Sequence, residues 1–460
     1  MSTSSLFRTY LGAQLEERLQ EGIRHALALG AEGAEAFVSV SRSRRAKVQN
    51  GALQDLSTSK RGGLGVRVLR AGPRGLRPGI ATSTDLTRAD YKDLFGLAWQ
   101  LSALGDEDGW LRQAEPSGSD DLPSRHDPRG DTLTPEDRVH RAMALEIAAR
   151  QASTRVVAVR EATWADGAGA SLLLTQKGVR AHDLASSCSA SIELVVEQDG
   201  DRQAAWHWDL ARHPEALDLQ AIGQEAARKG ERKLKPTPLA SGRYGVVLHP
   251  EVTLDILGLV AGMLSAEAVL KQRSLFAGRL GQPIASKLLT LVDDGRLPGG
   301  LGSEPWDGEG LPTRRNVLIE NGVLGTYLHT LKTAAEMGVA PTASASRSTG
   351  SNPGVTTFNL FPRAGDHSVQ ELYRMAGDGV LITEIMGLHT VDPVSGDLSV
   401  GASGVRIRGG ELAESVDRMT FAGNLKDFLA RIVALGDDLR WYGSQAGLSM
   451  LLEDISLGGA

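Results

Sequence analysis

The run Thr383-Glu384-Ile385-Met386-Gly387-Leu388-His389, followed by Asp392-Pro393-Val394-Ser395-Gly396-Asp397, places an imidazole and several carboxylates among glycine and proline turns. Glycine and proline weaken regular strands, so their density here marks a functional surface. His389 with Asp392 three residues on could orient a peptide carbonyl or bind a metal; stabilising a turn is the competing use. His249 with Glu251 is a second imidazole and carboxylate pair suited to acid–base work. The carboxylates Asp293-Asp294, Asp307 with Glu309, Asp392 with Asp397, and Asp437-Asp438 could surround a hard cation, or cap turns beside glycine and proline. Among ten histidines none forms His-Glu-x-x-His, and His207 and His213, six apart, would fall on different faces of a helix. Cys188, the sole cysteine, has no cation near it in sequence and reads as a small core residue, not a nucleophile.

Several of these segments carry a family likeness. Together with Pro298-Gly299-Gly300-Leu301-Gly302-Ser303, Pro312-Thr313-Arg314-Arg315 and Ile319-Glu320-Asn321-Gly322, the run from Thr383 resembles the TldD/PmbA family of metalloprotease subunits. The likeness extends from about Ala34 to the C-terminus; in the first half it rests on Asn50-Gly51-Ala52-Leu53 and Gly63-Leu64-Gly65-Val66-Arg67-Val68. The resemblance implies that the family's catalytic branch binds zinc through a His-Glu-x-x-x-His helix and a downstream cysteine, the Glu acting as general base. The matching segment here reads Ala266-Glu267-Ala268-Val269-Leu270-Lys271, with a methyl and an ammonium in place of both imidazoles. No cysteine lies between Trp441 and Ser449, where the thiolate ligand would fall. Zinc needs His, Cys or carboxylate ligands and an ammonium repels it, so this chain is expected to bind no metal or other cofactor and to have no catalytic residue at Ala266, Glu267 or Lys271.

That pattern is similar to the PmbA/TldE branch. The resemblance implies a partner subunit that pairs with a zinc-bearing TldD-like subunit to cut unfolded or ribosomally made peptides; a homodimer is the other possible assembly. Ser344 to Gly354 matches the family's small-residue stretch, and Arg347, Ser348 and Gly350, with His389 and Asp392, are candidate contacts for substrate or partner. Small residues let a peptide backbone approach, held by main-chain hydrogen bonds along a sheet edge. Two other functions remain open: an autonomous hydrolase using His389 with Asp392 or His249 with Glu251, and a peptide-binding adaptor.

The chain has 460 residues, 41% hydrophobic and 23% charged, enough for two or three domains with a sizeable core. Fifty-six acidic against fifty basic residues give a net charge of −6, which argues against a nucleic-acid binder. The basic run Arg42 to Lys47 reads as a solvated strand edge. A single cysteine excludes an intramolecular disulfide framework, and no apolar signal segment follows Met1, so the cytoplasm is the expected location. The longest apolar stretches, such as Thr253 to Leu264, are too short for a membrane span.

Three units are expected to position these residues. In 1–120, periodicity predicts a helix over Leu6 to Leu29, a hairpin turning at Asn50-Gly51, a strand at Gly63 to Leu69 in preference to a phosphate-binding glycine loop, and a helix capped by Asp85 and running to about Leu104. A break rich in Pro, Ser, Asp and Gly spans Glu115 to Asp131. In 131–235, Thr134-Pro135 starts a helix, strands follow over Val156 to Ala162, Ala170 to Thr175, Val179 to Ser191 and Ile192 to Gln198, Trp206 and Trp208 share a strand face, and a helix covers Leu217 to Arg232. The last unit, 236–460, is rich in strands, with a helix from Pro250 to about Lys271 and turns at Asn321-Gly322 and Gly409-Gly410. The fold class is α+β, helices packed on antiparallel or mixed sheets ahead of a strand-rich C-terminal domain.

Overall fold

The computed structural model describes residues 14–118 and 122–459. The early part of the first helix expected from sequence, Leu6 to Ala13, lies outside the described residues. The helix α1 (Leu15–Ala28) carries its buried stripe at Leu15, Leu19, Ile23 and Ala26 and ends before Gly30, which takes positive φ. The α+β class holds, with three six-stranded sheets among the described residues and the strands concentrated in the C-terminal half.

The first sheet is antiparallel throughout, in the order β3-β2-β1-β4-β5-β6. Its strands are β1 (Gly33–Gln49), β2 (Ala52–Ala71), β3 (Leu76–Ser83), β4 (Val156–Thr175), β5 (Arg180–Gln198) and β6 (Asp201–Ala211). Asn50 and Gly51 both have positive φ and close the β1–β2 hairpin. Segments 1–120 and 131–235 thus share one sheet, joined by the β1–β4 ladder from Glu35 opposite Thr175 to Val48 opposite Ala162. The strands expected over 156–162 and 170–175 are one strand, because the small residues Ala165 to Gly169 continue the ladder with β1 and β5, and those expected over 179–191 and 192–198 are likewise the one strand β5, whose ladders run unbroken through Ser191 and Ile192.

Alternation decides what each face does. Ala34, Ala36, Val38 and Val40 of β1 face α1 and α2 (Lys92–Ser102), while Ala46 and Val48 face α3 (Pro135–Ala152) and, through the same core, α4 (Leu219–Glu231). The opposite face presents Phe37, Ser39, Ser41 and Ser43 beside Gly167, Gly169 and Ser171, and lines cavities. Thr134 caps α3 in a capping box with Asp137, Pro135 taking the first helical position. Asp85 does not cap a helix. Its carboxylate takes the backbone N–H and the hydroxyl of Thr87, and α2 begins six residues later than expected.

The basic run is not at an edge. β1 lies between β2 and β4, and its cations are matched: Arg44 with Asp166, Arg45 with Asp55 and Lys47 with Glu161 on the neighbouring strands, and Arg42 with Asp131 of the helical turn at Arg129–Thr132. Trp206 and Trp208 do share a face, ring centroids 6.1 Å apart, and His207 between them points into the protein. His207 belongs to a strand, so the comparison of helix faces with His213 does not apply.

The C-terminal unit holds the other two large sheets around the largest apolar core. One places β7 (Gly242–Leu248) between Val380–Met386, parallel to it, and Met450–Gly458, antiparallel. The second runs through Leu291–Asp294 and Arg315–Glu320. The helix expected from Pro250 to Lys271 is interrupted: α5 covers Pro250–Met263 and α6 only Ala266–Leu270. Ser265 is extended and bridges to Leu328, and the Ala266 N–H goes to the Leu328 carbonyl, a tertiary bond that replaces the helical one. The pairs Asn321-Gly322 and Gly409-Gly410 have positive φ at the hairpin turns assigned to them.

Candidate functional site

The Thr383 run does not form an edge. Val380–Met386 is an interior strand, flanked by β7 and Asp397–Arg408. Its Glu384 is held by Lys233 at 2.6 Å, which ties the middle segment to the last. His389 sits exposed in a short 3-10 turn, and Asp392 turns away to accept the N–H groups of Val394 and Ser395. Asp397 takes the Asn424 amide. The turn-forming use therefore applies to both carboxylates, and no hydrogen bond joins His389 to Asp392.

Most of the other carboxylates also hold loops, but from inside the protein. Asp438 binds the backbone and hydroxyl of Ser449. Asp293 accepts the Phe358 N–H at 2.7 Å, and burial pushes its carboxyl up to about 7. Asp307 takes the N–H groups of Glu309, Leu311 and Ala345, and Glu309 takes that of Leu331. Burial raises both, to about 6 and about 8, the Asp307 charge adding to the rise at Glu309.

The small-residue loop is used within the chain. Ala345–Ser346 pairs with Gly354–Val355, and the loop between them lies on β2, where a Cβ at Gly65 would collide with the Thr349 carbonyl. Arg347 reaches Glu35 at 2.7 Å; Arg67 binds the same carboxylate oxygen at 2.8 Å, and Gln113 binds the other at 2.8 Å. Arg67 also meets Asn352 of the loop. Ser348 and Gly350 remain exposed. This explains the glycines near residue 65 better than either a phosphate cradle or substrate approach. The other glycine loop, at Pro298 to Ser303, is braced similarly: Arg212 donates to the Gly300 and Leu301 carbonyls, and Asn359 holds Gly302 and Ser303.

A charged cluster joins β6, α4 and α5. Both oxygens of Glu251 are 2.6 Å from Lys229 Nζ, and His207 Nδ1 lies 3.8 Å from one of them. His207 Nε2 meets Arg440 at 3.2 Å. His249 caps α5, its Nδ1 accepting the Glu251 N–H, so it uses the backbone of that residue and not its carboxylate. Burial, with the Lys229 charge, lowers His207 to about 3 and His249 to about 4 and keeps both neutral. The spacing of His249 and Glu251 hinted at this cluster; His207, Lys229 and Arg440 come from separate segments and carry no local signal.

Cys188 is buried, and burial pushes its thiol up to about 12. Ala266 is fully buried, while Glu267 and Lys271 stand at the surface as an ion pair 2.6 Å apart.

Three family models cover most of the chain: PmbA/TldA metallopeptidase domain 1 over 34–102, the central domain over 128–234 and the C-terminal domain over 241–459. The chain belongs to the PmbA/TldD metallopeptidase family. The Metalloprotease PmbA of Escherichia coli O157:H7 is 26% identical to this PmbA/TldD member over 96% of each chain. A Metalloprotease of Methanothermobacter thermautotrophicus is 28% identical over 89% of each. Among solved structures, a putative modulator of a DNA gyrase from Thermotoga maritima superposes with TM-score 0.88 at 26% identity, covering 96% of this chain and 100% of that one. TldE from Thermococcus kodakarensis shares the fold, with TM-score 0.85 at 21% identity over 97% and 100%.

The family name implies a metal, and the side chains at the segment matched to the zinc helix do not fit one. Ala266 offers a buried methyl, and the Lys271 ammonium already occupies the Glu267 carboxylate. At the Glu251 cluster the Lys229 ammonium holds the same place. No helix among the described residues is long and apolar enough to cross a membrane.

Proposed function

We propose that this PmbA/TldD protein is a non-catalytic subunit of a cytoplasmic peptidase, working with a zinc-bearing TldD-like partner on unfolded or ribosomally made peptides. The observation that carries the reading is the Glu267–Lys271 ion pair beside buried Ala266, where a lysine ammonium takes the place a dication would need. Zinc belongs in this scheme to the partner, and this chain supplies surface and stability. The relatives named metalloproteases support peptide cleavage as the work of the complex. An autonomous hydrolase is disfavoured because His389 is not bonded to Asp392, and Glu251 is saturated by Lys229 while His249 is bound to backbone.

The test is elemental analysis of the purified chain together with peptidase assays of the chain alone and mixed with a TldD-like subunit. Hydrolysis in the mixture only, by a preparation of this chain free of bound zinc, is the expected result. Stoichiometric zinc beside Glu267, or strong cleavage by this chain alone, would refute the reading. A homodimer that remains inactive on mixing would do the same for the heteromeric assembly.

A further inference from the structure

A cavity of about 400 Å³ lies between the hydroxyl-bearing face of the first sheet and the C-terminal loops. Phe37 and Leu173 line one side; Trp306, Arg347 and Phe358 line the other. Two donors there have no acceptor among the described residues: the Trp306 Nε1–H, and the Nε–H of Arg347, whose side chain is only 4% exposed. Buried donors are normally satisfied, so two of them around one cavity indicate an acceptor brought from outside.

Two carboxylates of the lining are otherwise engaged: Asp183 is ion-paired with Arg125, and Asp307 is filled by three backbone N–H groups. Glu304 is exposed, with Arg125 and Arg212 near it. Arg347 and Arg67 share a single oxygen of Glu35, so two guanidiniums meet one carboxylate. The planar guanidinium suits a carboxylate, and the ring and aliphatic walls suit an apolar side chain next to it.

We propose that this cavity binds the C-terminal carboxylate of a peptide whose last side chain is apolar, with Trp306 and Arg347 as donors. The proposal rests on the peptide-handling reading above and adds which end of the peptide this subunit holds.

The full chain, labelled with ¹⁵N at tryptophan, is titrated with acetyl-Ala-Ala-Leu as the free acid and as its C-terminal amide. Trp306→Phe assigns the indole signal. The free acid is expected to move that signal saturably and to bind about tenfold or more tighter than the amide, the scale of a charge-assisted hydrogen bond. Trp306→Phe and Arg347→Lys should each weaken the acid several-fold. Trp306→Phe leaves the Arg347–Glu35 pair in place, so the test stands even where Arg347→Lys misfolds. No binding, equal affinity for acid and amide, or binding that leaves the Trp306 signal unmoved overturns the proposal. Hydrolysis in the two-subunit mixture without acid preference counts against the cavity alone; acid preference without hydrolysis counts against the partner-subunit reading alone.

Discussion

Replacing Glu35 by Gln should be among the most destabilising single changes in the chain. The carboxylate is 2% exposed and touches both Arg67 and Arg347. Burial works to raise its pKa, but the Arg67 and Arg347 charges, with hydrogen bonds from Arg67 and Gln113, outweigh it and hold the group at about 2 against an ordinary 4.5. At about 1.4 kcal/mol per unit of pKa, that difference is worth roughly 3 kcal/mol in the ionised state. The folded pKa is depressed, so this stability is present in full above pH 4.5 and is lost as pH falls towards 2. Glu35→Gln removes it at pH 7 and leaves two buried guanidiniums sharing an amide, a cost of about 3–5 kcal/mol. Urea unfolding at pH 7, followed by hydrogen exchange in β1 and the 344–354 loop, measures the loss. Repeating it between pH 5 and pH 3 should show the gap between wild type and variant narrowing. A gap below about 1 kcal/mol at pH 7, or one that stays constant in acid, would sink the account, since a buried pair broken on one side cannot be that cheap. Adding Arg347→Met to Glu35→Gln should recover part of the loss, because it removes one of the stranded charges.

Gly65→Ala puts a methyl against the Thr349 carbonyl and should cost about 1–3 kcal/mol, with hydrogen exchange rising first in 344–354; unchanged exchange there would refute the packing. Cys188 should resist a thiol reagent at pH 8 in the native protein and react fully in urea, and rapid native labelling would contradict its burial and raised pKa. Glu309→Gln should gain stability relative to wild type as pH rises from 5 to 9, because the folded carboxyl, raised to about 8, increasingly pays for ionising in the interior while the amide does not. Melting curves at the two pH values check this, and parallel pH slopes would count against it.

Much of the fold was legible because local rules and tertiary packing agreed. The α1 stripe, the Thr134 capping box and the three glycine hairpins each depend on neighbours a few residues away, where periodicity and turn chemistry operate. The misreadings came where a distant partner decided. Arg42 to Lys47 looked like an edge because its acids, Asp55, Asp131, Glu161 and Asp166, lie in three other segments. The helix through Ser265 was broken by Leu328, more than sixty residues on. Asp85 has the right chemistry for a cap, but Thr87 satisfied it first.

The candidate site followed the same division. Spacing could flag the residues of the small loop, but whether a loop faces a substrate or its own chain depends on what lies opposite, and here that is the backbone of β2 at Gly65. Arg347 is therefore better understood through Glu35, a residue more than three hundred positions earlier that no motif selects. The same reasoning separates two kinds of lysine ion pair in this chain. Glu267–Lys271 is a surface pair one helical turn apart, worth about 0.3–0.5 kcal/mol, so it contributes little to folding. Lys229–Glu251 and Lys233–Glu384 instead join different elements and lie partly buried, so they bind the middle segment to the C-terminal unit.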